Sequence, residues 1–215
     1  MLIGANGLLG GPVLQAFLNS NAFNVTAAMR GQDAVISMVP GNLSGSQITL
    51  IDAAIAAGVQ RFIPSEFGPN TRNPKVVDVV PSLPAKVQVA EYLMSKESSM
   101  SWSILITMNF DLSAKSVTFV DGGGNPVTMT TLPKTGKAGV AMLQHKEETK
   151  NQYVFVHSFH TSQKEVLTAI ENVDYPHKWR VEYQTAQEVL DTGYRKLEKG
   201  DFTGNFHLVA GDAGG

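Results

Sequence analysis

Within its first ten residues the chain sets Gly4, Gly7 and Gly10 around Ala5, Asn6, Leu8 and Leu9, directly after the apolar run Met1-Leu2-Ile3 and directly before an amphipathic stretch. Glycines at this spacing let a strand turn sharply into a helix whose first N–H groups lack intrahelical partners, and that geometry receives a pyrophosphate. Pro12 suits a first helical turn, and Val13, Ala16 and Phe17 share one helical face. Glycine triplets are common in ordinary loops; the placement between strand and helix is what points to a dinucleotide site.

The rest of the chain alternates in the same way. Strands are predicted at 23–29, 34–39, 60–64, 102–107, 153–157 and 179–183, and helices at 46–57, 83–96, 136–144, 162–172 and 185–199. Such alternation predicts an α/β fold, a Rossmann-type doubly wound, mostly parallel sheet covered on both faces. A hairpin-like pair, 117–120 with 127–131, is expected around Asp121-Gly122-Gly123-Gly124-Asn125. One connection breaks the pattern: only Arg30 to Asp33 separate 23–29 from 34–39, whereas a parallel crossover takes about a dozen residues. Either these strands form an antiparallel hairpin, or a helix and a strand are missing there; the buried character of both flanks favours the second. A similar shortening follows Met108.

A net charge of −2 offers no basic stripe for a nucleic-acid backbone. The absence of cysteine excludes disulfides, thiolate metal sites and thiol nucleophiles. Residues 1–29 carry no charged side chain, yet glycines and asparagines interrupt them and no basic segment leads them, so neither a signal peptide nor a membrane span is expected. A cytoplasmic location is the default. There is no Gly-x-Ser-x-Gly elbow and no Gly-Lys-Ser/Thr phosphate loop, which leaves hydrolase and nucleotidase functions without support.

The residue about twenty positions beyond the glycine turn meets the adenosine ribose in dinucleotide folds, and here it is Arg30. A guanidinium matches a 2′-phosphate by charge and by its planar fork, so NADP(H) is the expected cofactor. The alternative is a solvated loop cation.

Gly4 to Gly10, Ala28-Met29-Arg30, Asp33-Ala34-Val35-Ile36-Ser37 and above all Arg61-Phe62-Ile63-Pro64-Ser65-Glu66-Phe67-Gly68 resemble the isoflavone-reductase-like, NmrA-like branch of the atypical short-chain dehydrogenases. The likeness continues through Lys86, Thr130-Thr131, residues 136–141 and Trp179-Arg180-Val181. It implies a dinucleotide-binding domain, 1–115, and a smaller, partly interleaved C-terminal α/β substrate domain, 116–215. It also implies reduction by NADPH of a small, often aromatic molecule, or, on the NmrA-like side, a regulator that senses NAD(P) without chemistry. A truncated, inactive product is the remaining alternative. By position, Gly4, Asn6, Gly7, Leu9 and Gly10 would hold the cofactor's pyrophosphate region and Arg30 its 2′-phosphate. Ser37 would approach the bridge between adenine and nicotinamide, Ser65, Glu66 and Phe67 would border the nicotinamide, and Lys86 would contact the nicotinamide ribose and assist proton transfer. Asn109 and Phe110 would face substrate. The expected partner is a small molecule, neither nucleic acid nor membrane, with a homodimer left open.

Two candidates compete on one helix. Tyr92 and Lys96 match the Tyr-x-x-x-Lys pair of ordinary short-chain dehydrogenases. At about 100° per residue, however, the apolar stripe runs through Leu83, Val87, Ala90, Leu93 and Met94, with Lys86 beside it and Tyr92 and Lys96 to one side. A lysine beside an apolar stripe is either snorkelling or functional. Glu66 is read either as a general base or as a loop-shaping group that bonds to backbone. His157 and His160 have no accompanying ligands at metal-site spacing.

Overall fold

The computed structural model describes residues 1–4, 7, 9–20, 29–107, 116–173 and 179–212. In chain order these form β1 (Leu2–Ile3), α1 (Gly10–Ser20), β2 (Ala34–Ser37), α2 (Gln47–Ala56), β3 (Arg61–Ile63), α3 (Pro74–Val79), α4 (Leu83–Ser95), β4 (Ser101–Ile106) and β5 (Ser116–Val120). There follow β6 (Val127–Met129), α5 (Leu132–Gln144), β7 (Gln152–Phe155), β8 (Phe159–Thr161), α6 (Gln163–Val173), β9 (Arg180–Gln184), α7 (Ala186–Glu198) and α8 (Gly204–Asp212). Two compact units result: Met1–Arg72 with Ser82–Met108 and Thr130–Val156, and Asn73–Pro81 with Asn109–Met129 and His157–Gly215.

The first unit holds a five-stranded sheet in the order β1-β2-β3-β4-β7, and every pair in it is parallel. Successive side chains of a strand leave on opposite faces, and the short apolar runs use both. Val35, Phe62, Trp102 and Ile104 join Ile51 and Leu93 in one core cluster. Their neighbours Ile36, Ile63 and Leu105 join Val13, Phe17 and Val140 in another. Each such side chain contributes about 1.5–3 kcal/mol on burial. Helices covering both faces explain why these strands are continuous apolar runs rather than alternating ones.

β2 is hydrogen-bonded on both sides, to β1 and to β3. Both of its edges are therefore taken by parallel partners. Most of the predicted strand at 23–29 lies outside the described residues.

α5 begins at Leu132 rather than at 136, because the Thr131 hydroxyl caps Lys134 N and Pro133 occupies the first turn. Its Gly136 meets α1 so closely that a Cβ would lie 2.7 Å from the Pro12 carbonyl oxygen and 2.9 Å from Ala16 Cβ. Gly136→Val is expected to cost about 1–3 kcal/mol, read as a lower urea midpoint; an unchanged midpoint would show that the two helices separate freely.

β3 opens on Arg61, which is buried. Its guanidinium donates to Ser101 Oγ at 2.8 Å, Ser103 Oγ at 2.7 Å and the Lys146 carbonyl at 2.6 Å. These acceptors compensate its desolvation, which holds its pKa below the ordinary arginine value.

In the second unit β5 pairs with β9 in parallel and β6 with β8 antiparallel. The hairpin expected between 117–120 and 127–131 is not formed. Gly122 and Gly123 take positive φ in the 3-10 turn Asp121–Gly123, and Gly123 packs on the Phe119 ring so closely that a Cβ would lie 2.7 Å from it. Asp121 instead accepts from Ala186 N at the start of α7, which sends β6 to another partner. α7 and α8 pack through Gly193, Gly204 and Gly211.

Candidate functional site

In a parallel sheet the carboxyl ends of the strands face the ligand crevice, and the first unit gathers its unusual residues there. Gly4 follows β1 with φ +81°, a left-handed conformation that costs other residues. A Cβ on it would overlap the Met38 carbonyl oxygen just beyond β2. The chain then turns, Gly7 N donating to Gly4 O at 3.1 Å and Gly11 N to Gly7 O at 3.2 Å, and α1 opens on buried Gly10. Leu9 is half-buried against the second core cluster. Ser37 pairs in register with Ile3 beside this turn; it is fully buried, and its hydroxyl has no hydrogen-bond partner among the described residues.

The loop after β3 is fixed from three directions. Ser65 N donates to Gln47 Oε1 at 2.8 Å, and Ser65 Oγ donates to Val39 O at 2.8 Å, which ties the ends of β2 and β3 together. Phe67 N donates to Leu105 O at 3.1 Å, and Thr107 N donates to Gly68 O at 3.1 Å, stitching the loop to β4. Phe67 itself carries φ +32°, a conformation that a bulky residue keeps only when its surroundings enforce it. From α4, Lys86 reaches back so that Nζ donates to Glu66 O at 2.6 Å. Its stem is half-buried, with the ammonium turned inward.

The electrostatics follow from burial. Desolvation lowers the Lys86 pKa from the ordinary lysine value, opposed by the charge of Glu66. Desolvation raises the Glu66 pKa, opposed by Lys86 and by the Thr71 hydroxyl. Among the described residues, the Glu66 carboxyl group accepts from Thr71 Oγ1, at 3.4 Å. The expected bonding of its side chain to backbone is thus replaced by bonding of its own main-chain carbonyl to Lys86. Tyr153 on β7 is also raised, by burial first and by Glu66 next, and Arg72 lies 5.2 Å from the centre of its ring.

Of the sequence candidates, Glu66, Phe67 and Lys86 come together at one loop, as do Gly4 and Ser37 at the neighbouring strand ends. Arg30 is exposed, in a turn leading into the amino end of β2, where Gln32 N bonds Met29 O. Gly4 packs beyond the carboxyl end of that strand, and no contact among the described residues joins the two. Asn6, Asn109 and Phe110 lie outside the described residues. Tyr92 instead donates from its hydroxyl to Asp52 Oδ1 at 2.6 Å, linking α4 to α2, with Lys96 Nζ 4.9 Å from its ring centre. Sequence reasoning missed Gln47, Thr71, Arg72 and Tyr153. A buried Gln at the start of α2 gives no spacing signal, and the Thr71-Arg72 pair reads as a polar loop. The groove of about 580 Å³ lined by Pro12, Ala16, Pro133 and Val140 has Lys137 as its one titratable side chain; the acid and lysine chemistry lies at the β3 loop instead. Among the described residues there is no cluster of three or more potential metal ligands, and no helix is long and apolar enough to cross a membrane.

The oxidoreductase aprR of Aspergillus flavus is 35% identical over 193 residues, which cover 84% of this chain and 65% of that protein; the chain thus spans somewhat less than two thirds of that relative. Among solved structures, the leucoanthocyanidin reductase–NADPH complex of Vitis vinifera superposes with a TM-score of 0.77 at 16% identity, over 99% of this chain and 86% of that one. An isoflavone reductase gives 0.72 at 17% identity, over 99% and 88%. The fold is therefore the Rossmann-type doubly wound architecture of these reductases. The sequence model of the NmrA-like family matches residues 6–193, and the chain belongs to that family.

Proposed function

We propose that the protein is an NADPH-dependent oxidoreductase of the isoflavone-reductase-like type that reduces a small aromatic molecule. The observation that carries this is Lys86, its ammonium held inward on the Glu66 carbonyl at the carboxyl edge of a parallel sheet. A purely structural lysine would be better placed in water. The residues fit the dinucleotide: Gly4 has no room for a side chain beside Met38, and the buried Ser37 hydroxyl is unpartnered next to the turn. The NADPH complex of leucoanthocyanidin reductase and the name of the fungal relative support the same reading.

Gly4, Asn6, Gly7, Leu9 and Gly10 would carry the pyrophosphate region and Ser37 the bridge between adenine and nicotinamide. Ser65, Glu66 and Phe67 would border the nicotinamide. NADPH, when bound, supplies the hydride. The electron pair displaced onto a substrate oxygen is met by a proton from Lys86 Nζ, which acts as general acid. Asn109 and Phe110 would face substrate, with 116–215 as the substrate-binding part. A dinucleotide sensor would share the binding residues but would not need an inward-held amine. The test is loss of reduced-nicotinamide absorbance with a panel of aromatic carbonyl, enone and benzylic-ether compounds. Consumption dependent on one of these classes is expected; tight NADPH binding with no consumption on any of them would favour the sensor.

A further inference from the structure

Glu66 is buried, 3% exposed, and its carboxyl group takes one long hydrogen bond from Thr71 Oγ1 at 3.4 Å. A carboxyl group so poorly solvated is either neutral or balanced by a cation close by. The cation at hand is Lys86, held at 2.6 Å by the main-chain oxygen of the same glutamate. Gly68 leaves the space for it, since a Cβ there would lie 3.2 Å from Glu66 O and 3.7 Å from Lys86 Nζ.

We infer that Glu66 is a positioning residue acting on Lys86 twice: its carbonyl fixes where the ammonium sits, and its buried carboxylate supplies the counter-charge that keeps the amine protonated until substrate arrives. Burial pushes each of the two groups toward its neutral form, and their mutual attraction opposes it. The other groups bearing on this carboxyl are the Thr71 hydroxyl, the Tyr153 phenol and, over that ring, the Arg72 guanidinium; Glu91 acts on Tyr153 with the same sign as Glu66. None of them takes hold of Lys86 directly. Burial works against its charge, and Glu66 is the charged group that opposes burial.

The assignment rests on Lys86 being the proton donor of the proposed reaction, yet its test needs neither cofactor nor substrate. In the chain as it stands, competitive acetylation by acetic anhydride, read peptide by peptide, reports the unprotonated fraction of Lys86, with Lys96 as internal reference. Glu66→Gln is expected to raise Lys86 labelling at neutral pH about tenfold or more relative to Lys96, and Glu66→Asp to stay near the wild type. Unchanged Lys86 labelling in a folded Glu66→Gln protein would overturn the inference. A rise at every lysine would mean unfolding, and Lys86→Met then decides. Infrared difference spectra should show a protonated carboxylic acid at neutral pH in that variant and none in the wild type; an ionised Glu66 there would equally overturn it. Failure of NADPH to bind would remove the proposed reaction and leave these readouts standing.

Discussion

Lys86→Ala is expected to lower turnover by about two to four orders of magnitude while NADPH affinity stays within about tenfold, because a proton donor acts mainly in the transition state. The side chain is replaceable in the fold: α4 is anchored by Leu83, Val89, Ala90 and Leu93, so the helix keeps its apolar contacts. What is lost is the ammonium on the Glu66 carbonyl, and leaving that oxygen without its donor costs about 1–3 kcal/mol of stability. Steady-state rates and equilibrium binding on the same preparation separate the two effects. Turnover unchanged by the substitution removes Lys86 from the mechanism. The wild-type pH profile gives a second check. Burial lowers the Lys86 pKa, and a general acid is active below its pKa, so the rate should fall as pH rises, with an alkaline limb below the ordinary lysine range. A limb that falls toward acid instead would assign Lys86 the role of base.

Gly4→Ala carries the second large effect. A side chain must adopt φ +81°, at about 1–2 kcal/mol, and its Cβ collides with main-chain oxygen rather than with a side chain that can swing aside. Met38, and with it the carboxyl end of β2, has to move. The expected outcome is NADPH affinity weakened by about a hundredfold or more, together with a lower melting temperature. Gly7→Ala is the contrast: a Cβ there would meet Gly4 O at 3.4 Å, an ordinary contact. The fold should tolerate it, so any loss of binding in that variant reports crowding of the ligand. Equal melting temperatures for Gly4→Ala and wild type would show that the turn is not held as described.

The parallel sheet was legible because its strands are short apolar runs with Val35, Phe62 and Ile104 serving one face and Ile36, Ile63 and Leu105 the other. Lys86 was legible because it lies beside an apolar stripe, where a charge needs a reason. Long-range pairing was not. β5 and β6 are neighbours in sequence with a glycine turn between them, yet both pair elsewhere, since the positive φ values of Gly122 and Gly123 and the bond from Ala186 N to Asp121 redirect the chain. α8 was missed because its glycines read as breakers, whereas Gly204 and Gly211 are contact points that let α7 approach. Gln47 and Thr71 act through single hydrogen bonds to residues distant in sequence or across a loop, which no periodicity announces. Arg30 was chosen by its distance from the glycine turn, and the structure sets it at the other end of β2.

The central claim is that the amino-terminal turn and the residues around it hold NADPH. Titration of the chain with NADPH and NADH, followed by nicotinamide fluorescence, tests it most directly. Saturable NADPH binding at about micromolar concentrations is predicted, tighter than NADH. Binding of neither dinucleotide below about millimolar concentrations would contradict the account.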